Sequence, residues 1–147
     1  MLYLGADHRG FKLKEFLKSR LKEWGVEFQD CGAFSYNADD DYNDFALAVA
    51  QKVAQNPEGN RGILICGSGI GVDIVANKVK GVKSALVWRK ELADHRKYYG
   101  ENVLALPADF LSNPEAEEIV KIWLNTMKLL QDEKYRRRRQ KIEKLEI

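Results

Sequence analysis

The stretch ILICGSGIGVDIVANK, residues 63 to 78, sets the thiol of Cys66 at the end of an apolar run, then passes through Gly67, Ser68, Gly69, Ile70 and Gly71 into helix-forming residues. A chain that turns through several glycines between a strand and a helix presents successive backbone N–H groups to one concave side. With the positive helix terminus, that arrangement favours an anion, a thiolate included. A thiolate acts as a base or as a nucleophile. Three known uses of a glycine-rich turn do not fit. The glycines run G-x-G-x-G after the third apolar run, which is a weak dinucleotide fingerprint, and the Gly-Lys-Ser or Gly-Lys-Thr of a Walker loop is missing. A cysteine phosphatase cradle needs an arginine six positions after the cysteine, where Val72 stands. The plain alternative is a tight turn around a buried, inert cysteine.

A second chemical group lies in GADHRG, residues 5 to 10, where Asp7, His8 and Arg9 follow the first apolar run. A carboxylate, an imidazole and a guanidinium in one turn can converge on a polar ligand, although a charged surface turn is the bland alternative. DYND, residues 41 to 44, leads into a helical pattern, with Asp44 read as its N-cap and Tyr42 within reach of the same crevice.

These groups act together only if the fold brings them to one place. Apolar runs at Met1 to Leu4, Val26 to Phe28, Ile63 to Ile65, Lys83 to Val87 and Val103 to Leu106 read as five strands. Between them, Leu13, Phe16, Leu17, Leu21 and Trp24 recur at helical spacing up to Gly25, and Phe45, Val49, Ala50 and Val53 do so up to Pro57. Further helices are expected at 71 to 79, at 90 to 98, after the Ser112, Pro114, Glu115 start signal, and from about Asp132 to the end. Strict alternation of strand and helix implies a parallel sheet covered on both faces by right-handed crossovers. The expected fold is therefore a single-domain, three-layer α/β/α sandwich over residues 1–147, with a five-stranded parallel sheet, Rossmann-like with the flavodoxin-type strand order. Such sheets bind ligands at the carboxyl ends of strands where strand order reverses, here between the first and third strands. The loops at 5–10 and 66–71 fall there together.

Composition narrows the class. At 147 residues, 45% hydrophobic and 31% charged, the chain suits one soluble globular domain. It shows no run long enough for a membrane helix and no secretion signal, so a cytoplasmic location is expected. Cys31 and Cys66 are expected as thiols, and neither has a Cys or His partner at metal-ligand spacing. Cys31 is assigned no role. The net charge of +2 hides a basic run, KYRRRRQK at 134 to 141. It continues into acidic residues with apolar Ile142 and Leu145, which favours a helix docking on a partner subunit over a nucleic-acid patch.

ADHRGFKLKEFL, DYNDFA, GILICGSGIGVDIVANKVKGVKSALV and NVLAL together resemble ribose-5-phosphate isomerase type B and its galactose-6-phosphate isomerase relatives, over nearly the whole chain. The resemblance implies an aldose-ketose isomerase of a sugar phosphate in pentose phosphate metabolism. It would act through a cis-enediol, as a homodimer or a tetramer with a site shared between subunits, without metal or cofactor. It assigns Cys66 as the base, Ser68 as a proton-steering hydroxyl and Gly67, Gly69, Ile70 and Gly71 as the anion cradle. Asp7 and His8 match the pair that holds the sugar, with Arg9 of the same turn as a further candidate for substrate binding, and Tyr42 matches a crevice tyrosine. Two departures accompany it. Tyr98 and Tyr99 stand where the family carries a His-Asn pair whose His opens the sugar ring, with His95, one helical turn earlier, read either as a substitute in that role or as a surface residue, and Asp109 stands where the family carries a phosphate arginine. Near the C-terminus Lys134 falls within an altered family motif, while Arg138 matches a phosphate arginine, with Arg136, Arg137 or Arg139 as possible substitutes for the missing one. A non-catalytic sugar-phosphate-binding protein, or one subunit of a heteromeric isomerase, is the alternative.

Overall fold

In a computed structural model, residues 1–145 are described; Glu146 and Ile147, the last residues of the expected terminal helix, lie outside the described residues. The chain runs β1 (Leu2–Ala6), α1 (Phe11–Glu23), β2 (Phe28–Asp30), α2 (Tyr42–Ala54), β3 (Arg61–Cys66), α3 (Ile70–Ala76) and β4 (Ser84–Leu86). A 3-10 turn (Lys90–His95) then leads into α4 (Arg96–Tyr99), β5 (Val103–Pro107), α5 (Asn113–Asn125) and α6 (Glu133–Glu143). All five strands are parallel. No helix of the described residues is long and apolar enough to cross a membrane.

Side chains alternate across the sheet and build two cores. Leu2, Leu4, Ile63, Ile65, Leu104 and Leu106 face α1 and α5, where Leu17, Leu21, Ile119 and Trp123 are fully buried against them. Leu64, Cys66, Val103 and Ala105 face α2 and α3, against Val49, Val53, Val72 and Ala76. This is the three-layer sandwich that alternation implies.

Strand order is β2-β1-β3-β5-β4. The reversal between β1 and β3 falls where the flavodoxin-type reading requires it. Beyond β3 the neighbour is β5, with Ile65 opposite Leu106 and Cys66 opposite Pro107, and β4 takes the edge. Burial explains the arrangement: β5 is buried at every residue, whereas β4 has three half-buried residues, suited to a short edge strand. The loop after β5 thus joins the loops after β1 and β3.

Several boundaries differ from the sequence reading for local reasons. Val26 donates its N–H to Leu21 O and closes the end of α1, so β2 begins only at Phe28, opposite Leu2. α3 stops at Ala76 because the Asn77 side chain bonds both the N–H and the C=O of Ser84. Asp41, not Asp44, occupies the N-cap of α2, and Asp44 lies in its first turn. The expected helix over 90–98 is a 3-10 turn followed by one turn of α-helix. The start of α5 matches expectation, since Ser112 and Glu115 form a reciprocal capping box.

A buried ion pair anchors the end of β1. Lys14, fully buried on α1, donates from Nζ to Asp30 Oδ1 at 2.7 Å and to Ala33 O at 2.5 Å. The segment it holds brackets Ala6, whose N–H donates to Gly32 O at 2.8 Å and whose carbonyl accepts from Ala33 N at 2.7 Å. Burial opposes the charge of Asp30, but hydrogen bonds from Lys14, Lys18 and the Gly32 N–H outweigh it and hold the carboxyl below its ordinary 3.8. The stability this contributes is present above pH 3.8 and is lost as pH falls through the lowered folded value. Asp30→Asn leaves the buried Lys14 ammonium with only the more distant, exposed Glu15 carboxylate at 3.9 Å as counter-charge, so it costs about 3 kcal/mol at neutral pH. The difference from the parent narrows below pH 3.8, and urea unfolding at a series of pH values measures both effects.

Candidate active site

Asp7 follows β1 directly and is buried; its N–H donates to Ile65 O at 3.4 Å, which ties the first turn to the last residues of β3. Asp7 Oδ1 accepts the N–H groups of Arg9 at 3.0 Å and Gly10 at 3.1 Å, so the carboxylate builds the turn that presents His8 and Arg9. Burial pushes the Asp7 carboxyl above the ordinary carboxylate value, against those hydrogen bonds and the neighbouring His8.

Cys66 is the last residue of β3 and is 4% exposed. Its side chain belongs to the α2–α3 side of the sheet, at the upper margin of that core. The next residues form the expected turn. Gly69 takes a left-handed conformation with φ of 73°, which only glycine adopts freely, and Ser68 Oγ accepts the Ile70 N–H at 3.2 Å. The Tyr42 ring lies against Gly71, as its place at the start of α2 permits.

Arg9 lays its guanidinium over Gly67, where a Cβ would sit 2.6 Å from Arg9 Nε and 2.8 Å from Asp109 Oδ2. Arg9 Nη2 also pairs with Asp109 Oδ2, and Asp109 N donates to Gly67 O at 2.9 Å. Asp109 is therefore neutralised by the guanidinium of the first turn. The loops after β1, β3 and β5 meet at Gly67.

His8 donates its backbone N–H to Asp40 Oδ1 at 3.0 Å and holds its Nδ1 2.7 Å from the same oxygen. Reading the sequence alone missed Asp40. Its only signal was an acidic run before α2, and spacing does not say which of Asp39, Asp40 and Asp41 turns inward. Among the described residues, Asp7, His8 and Asp40 are the one group able to share a cation, with ligand atoms within 4.8 Å of one another. Two of the three are already paired with each other.

Tyr98, Tyr99 and Arg138 gather elsewhere, around a cavity of about 280 Å³ that His95, Tyr135, Arg139 and Ile142 also line. Tyr98 packs on Tyr135 with ring centroids 5.0 Å apart, and Arg138 and Lys134 lie over the Tyr135 ring from α6. Arg139, read as one possible substitute for the missing phosphate arginine, is turned onto backbone carbonyls. It is 8% exposed and donates to Tyr98 O at 3.0 Å and Leu130 O at 2.7 Å, which fixes α4 on α6. Arg137 pairs with Glu133 along the exposed side of α6. One chain thus carries two clusters, Asp7 to Gly71 at the switch of the sheet and Tyr98 to Arg138 at the α4–α6 junction.

The family described as Ribose/Galactose Isomerase matches residues 2–145. A probable ribose-5-phosphate isomerase B of Mycoplasma genitalium is 42% identical over 120 residues, 81% of this chain and 79% of that protein. Ribose-5-phosphate isomerase B of Mycobacterium tuberculosis is 40% identical over 126 residues, 85% and 77%. Among solved structures, the Mycoplasma genitalium enzyme with bound ribulose-5-phosphate superposes with a TM-score of 0.91 at 38% identity, over 97% of this chain and 93% of that one. The Clostridium thermocellum enzyme gives 0.88 at 35% identity, over 98% and 95%.

Proposed function

Because the chain belongs to the ribose/galactose isomerase family, we propose that it interconverts ribose 5-phosphate and ribulose 5-phosphate, or a closely related aldose and ketose phosphate, in the cytoplasm. The reaction moves one proton between C2 and C1 of the open-chain sugar. Cys66 takes the C2 proton as thiolate, the electron pair forms the C1=C2 bond of a cis-enediol, and O1 gains a proton. Return of the carbon-bound proton to C1, with loss of the O2 proton, gives the ketose.

The residues around Cys66 suit the remaining needs of that step. Backbone N–H groups between Gly67 and Gly71 stabilise the developing enediolate oxygen, and the Ser68 hydroxyl carries a proton between O1 and O2. Asp7 and Tyr42 fix sugar hydroxyls. Arg9, held over Gly67, offsets the negative charge of Asp109 at the mouth of the crevice, so the aspartate does not repel an anionic ligand as a free carboxylate would. The second cluster completes the site from another copy of the chain: Tyr98, Tyr99, Lys134 and Arg138 of one subunit close the crevice of its partner, and α6 packs across that interface.

The observation that carries this reading is the junction of the Asp7 turn with the end of β3, through the hydrogen bond from Asp7 N to Ile65 O. The purified protein is expected to produce ribulose 5-phosphate from ribose 5-phosphate. A folded protein that yields no ketose from this or any other sugar phosphate overturns the proposal. Saturable binding without turnover identifies a binding protein or one subunit of a heteromeric isomerase instead.

A further inference from the structure

We propose that His8, oriented by Asp40, opens the sugar ring before proton transfer at carbon begins; the inference rests on the reading that the chain isomerises a sugar phosphate. A 5-phosphorylated aldopentose holds C1 as a hemiacetal with O4. Enediol chemistry needs the free carbonyl, so a group separate from the carbon base must carry a proton from O1 to O4. Neutral imidazole performs both halves of that transfer near neutral pH.

The geometry around His8 fixes which nitrogen does so. A carboxylate only accepts hydrogen bonds, so Nδ1, 2.7 Å from Asp40 Oδ1, carries a hydrogen and leaves Nε2 as the acceptor. The same oxygen accepts the His8 backbone N–H at 3.0 Å, and Tyr36 meets the ring edge-on at 6.2 Å, so the imidazole is held by Asp40 and Tyr36 and its backbone is tied to the same carboxylate. The Asp40 side chain is 9% exposed, and its Oδ2 is buried without a hydrogen-bond partner. Its charge is therefore directed to His8, where it supports the transient imidazolium. The His8 side chain itself is 24% exposed and accessible to a ligand.

Asp7 is less suited, because its Oδ1 is occupied by two backbone N–H groups that maintain the turn. In the step assigned to His8, Nε2 takes the O1 proton, C1=O1 forms, and the C1–O4 bond breaks with its electron pair going to O4. The imidazolium then returns the proton to O4. No atom or electron leaves the pair. Asp40 acts as a positioning residue, and the arrangement is that of an acid–base dyad.

Ribulose 5-phosphate separates ring opening from carbon chemistry, because attack of O4 on C2 would close a four-membered ring and O5 is esterified. The ketose is open-chain. The experiment compares turnover of saturating ribose 5-phosphate with exchange of the C1 hydrogen of ribulose 5-phosphate into deuterated water. His8→Asn keeps a donor toward Asp40 through its side-chain amide and removes Nε2. It is expected to lower the ratio of turnover to exchange by about 10²-fold. Asp40→Asn, which keeps the imidazole but releases its tautomer, is expected to lower that ratio about tenfold and serves where His8→Asn does not fold. An unchanged ratio in a folded variant overturns the role of His8, even if both rates fall together. A parent protein that neither exchanges the C1 hydrogen nor interconverts the two sugar phosphates overturns the isomerase reading itself, and the ring-opening role with it.

Discussion

Cys66→Ser is expected to lower turnover of ribose 5-phosphate by roughly 10³ to 10⁴-fold while the protein stays folded. An alcohol surrenders its proton far less readily than a thiol, so serine keeps the shape of the base and loses its chemistry. The burial of Cys66 makes the comparison informative. At 4% exposure it packs beside Leu64 and Val72, and a hydroxyl there costs about 1 kcal/mol of stability. A merely structural cysteine would show that stability loss with an unchanged rate. A base shows a loss of rate much larger than the small stability change can produce. Steady-state kinetics paired with urea unfolding distinguish the two, and turnover within tenfold of the parent assigns the carbon base to another residue. Cys66→Ala adds a second check, since it removes the sulfur without placing a hydroxyl in the apolar core.

The sheet and its switch point were legible because strand burial is written in periodicity. β3 and β5 are continuous apolar runs, and each covering helix shows its stripe. Cys66 and Asp7 could be placed near each other from topology alone, because parallel crossovers put both at carboxyl ends of neighbouring strands. The exchange of β4 and β5 was harder to see, as the order of strands beyond the switch depends on which one tolerates an edge. KSALV and NVLAL are similarly apolar, and only the burial of the finished sheet separates them. Side-chain pairing was the least legible layer. Asp40 with His8, Lys14 with Asp30 and Arg9 with Asp109 join residues 32, 16 and 100 positions apart, and no local pattern marks such contacts.

The Arg9–Asp109 pair shows how a departure from a familiar pattern can be compensated at a distance. An aspartate near a phosphate would weaken binding by direct repulsion. With the Arg9 guanidinium paired to Asp109 over Gly67, the carboxylate's charge is balanced at the mouth of the crevice and the orientation of both groups is fixed. Both partners are substantially exposed, so the pair adds little to stability, and its importance lies in where it holds the charge.

On the proposed mechanism, the contact between the first turn and β3 positions Asp7 and His8 against Cys66, and Gly10→Ala tests it. Gly10 has φ of −95° and ψ of −5°, a conformation alanine adopts without strain, so the obstacle is space alone. A Cβ there would lie 2.5 Å from the carbonyl oxygen and 2.8 Å from the carbonyl carbon of Ile65. Those atoms belong to the backbone of the sheet's central strand and cannot swing aside as a flexible side chain would. The turn must move instead. Gly10 donates to both Asp7 Oδ1 and Asp7 O, and Lys14 N donates to Gly10 O at 2.9 Å, so the displacement carries Asp7 and His8 away from Cys66 together with the start of α1. Overpacking of this kind costs about 3 kcal/mol. A shift near 1 Å between catalytic groups lowers turnover by about 10²-fold in the molecules that remain folded. Gly25→Ala supplies the contrast: Gly25 has φ of +70° with open space around it, so alanine there costs about 1 kcal/mol of backbone strain at the far end of α1. Its turnover should match the parent at a temperature where both are folded. If Gly10→Ala loses stability but keeps full turnover per folded molecule, the first turn does not position the catalytic groups, and the alignment of Asp7 with Cys66 is not what the reaction depends on.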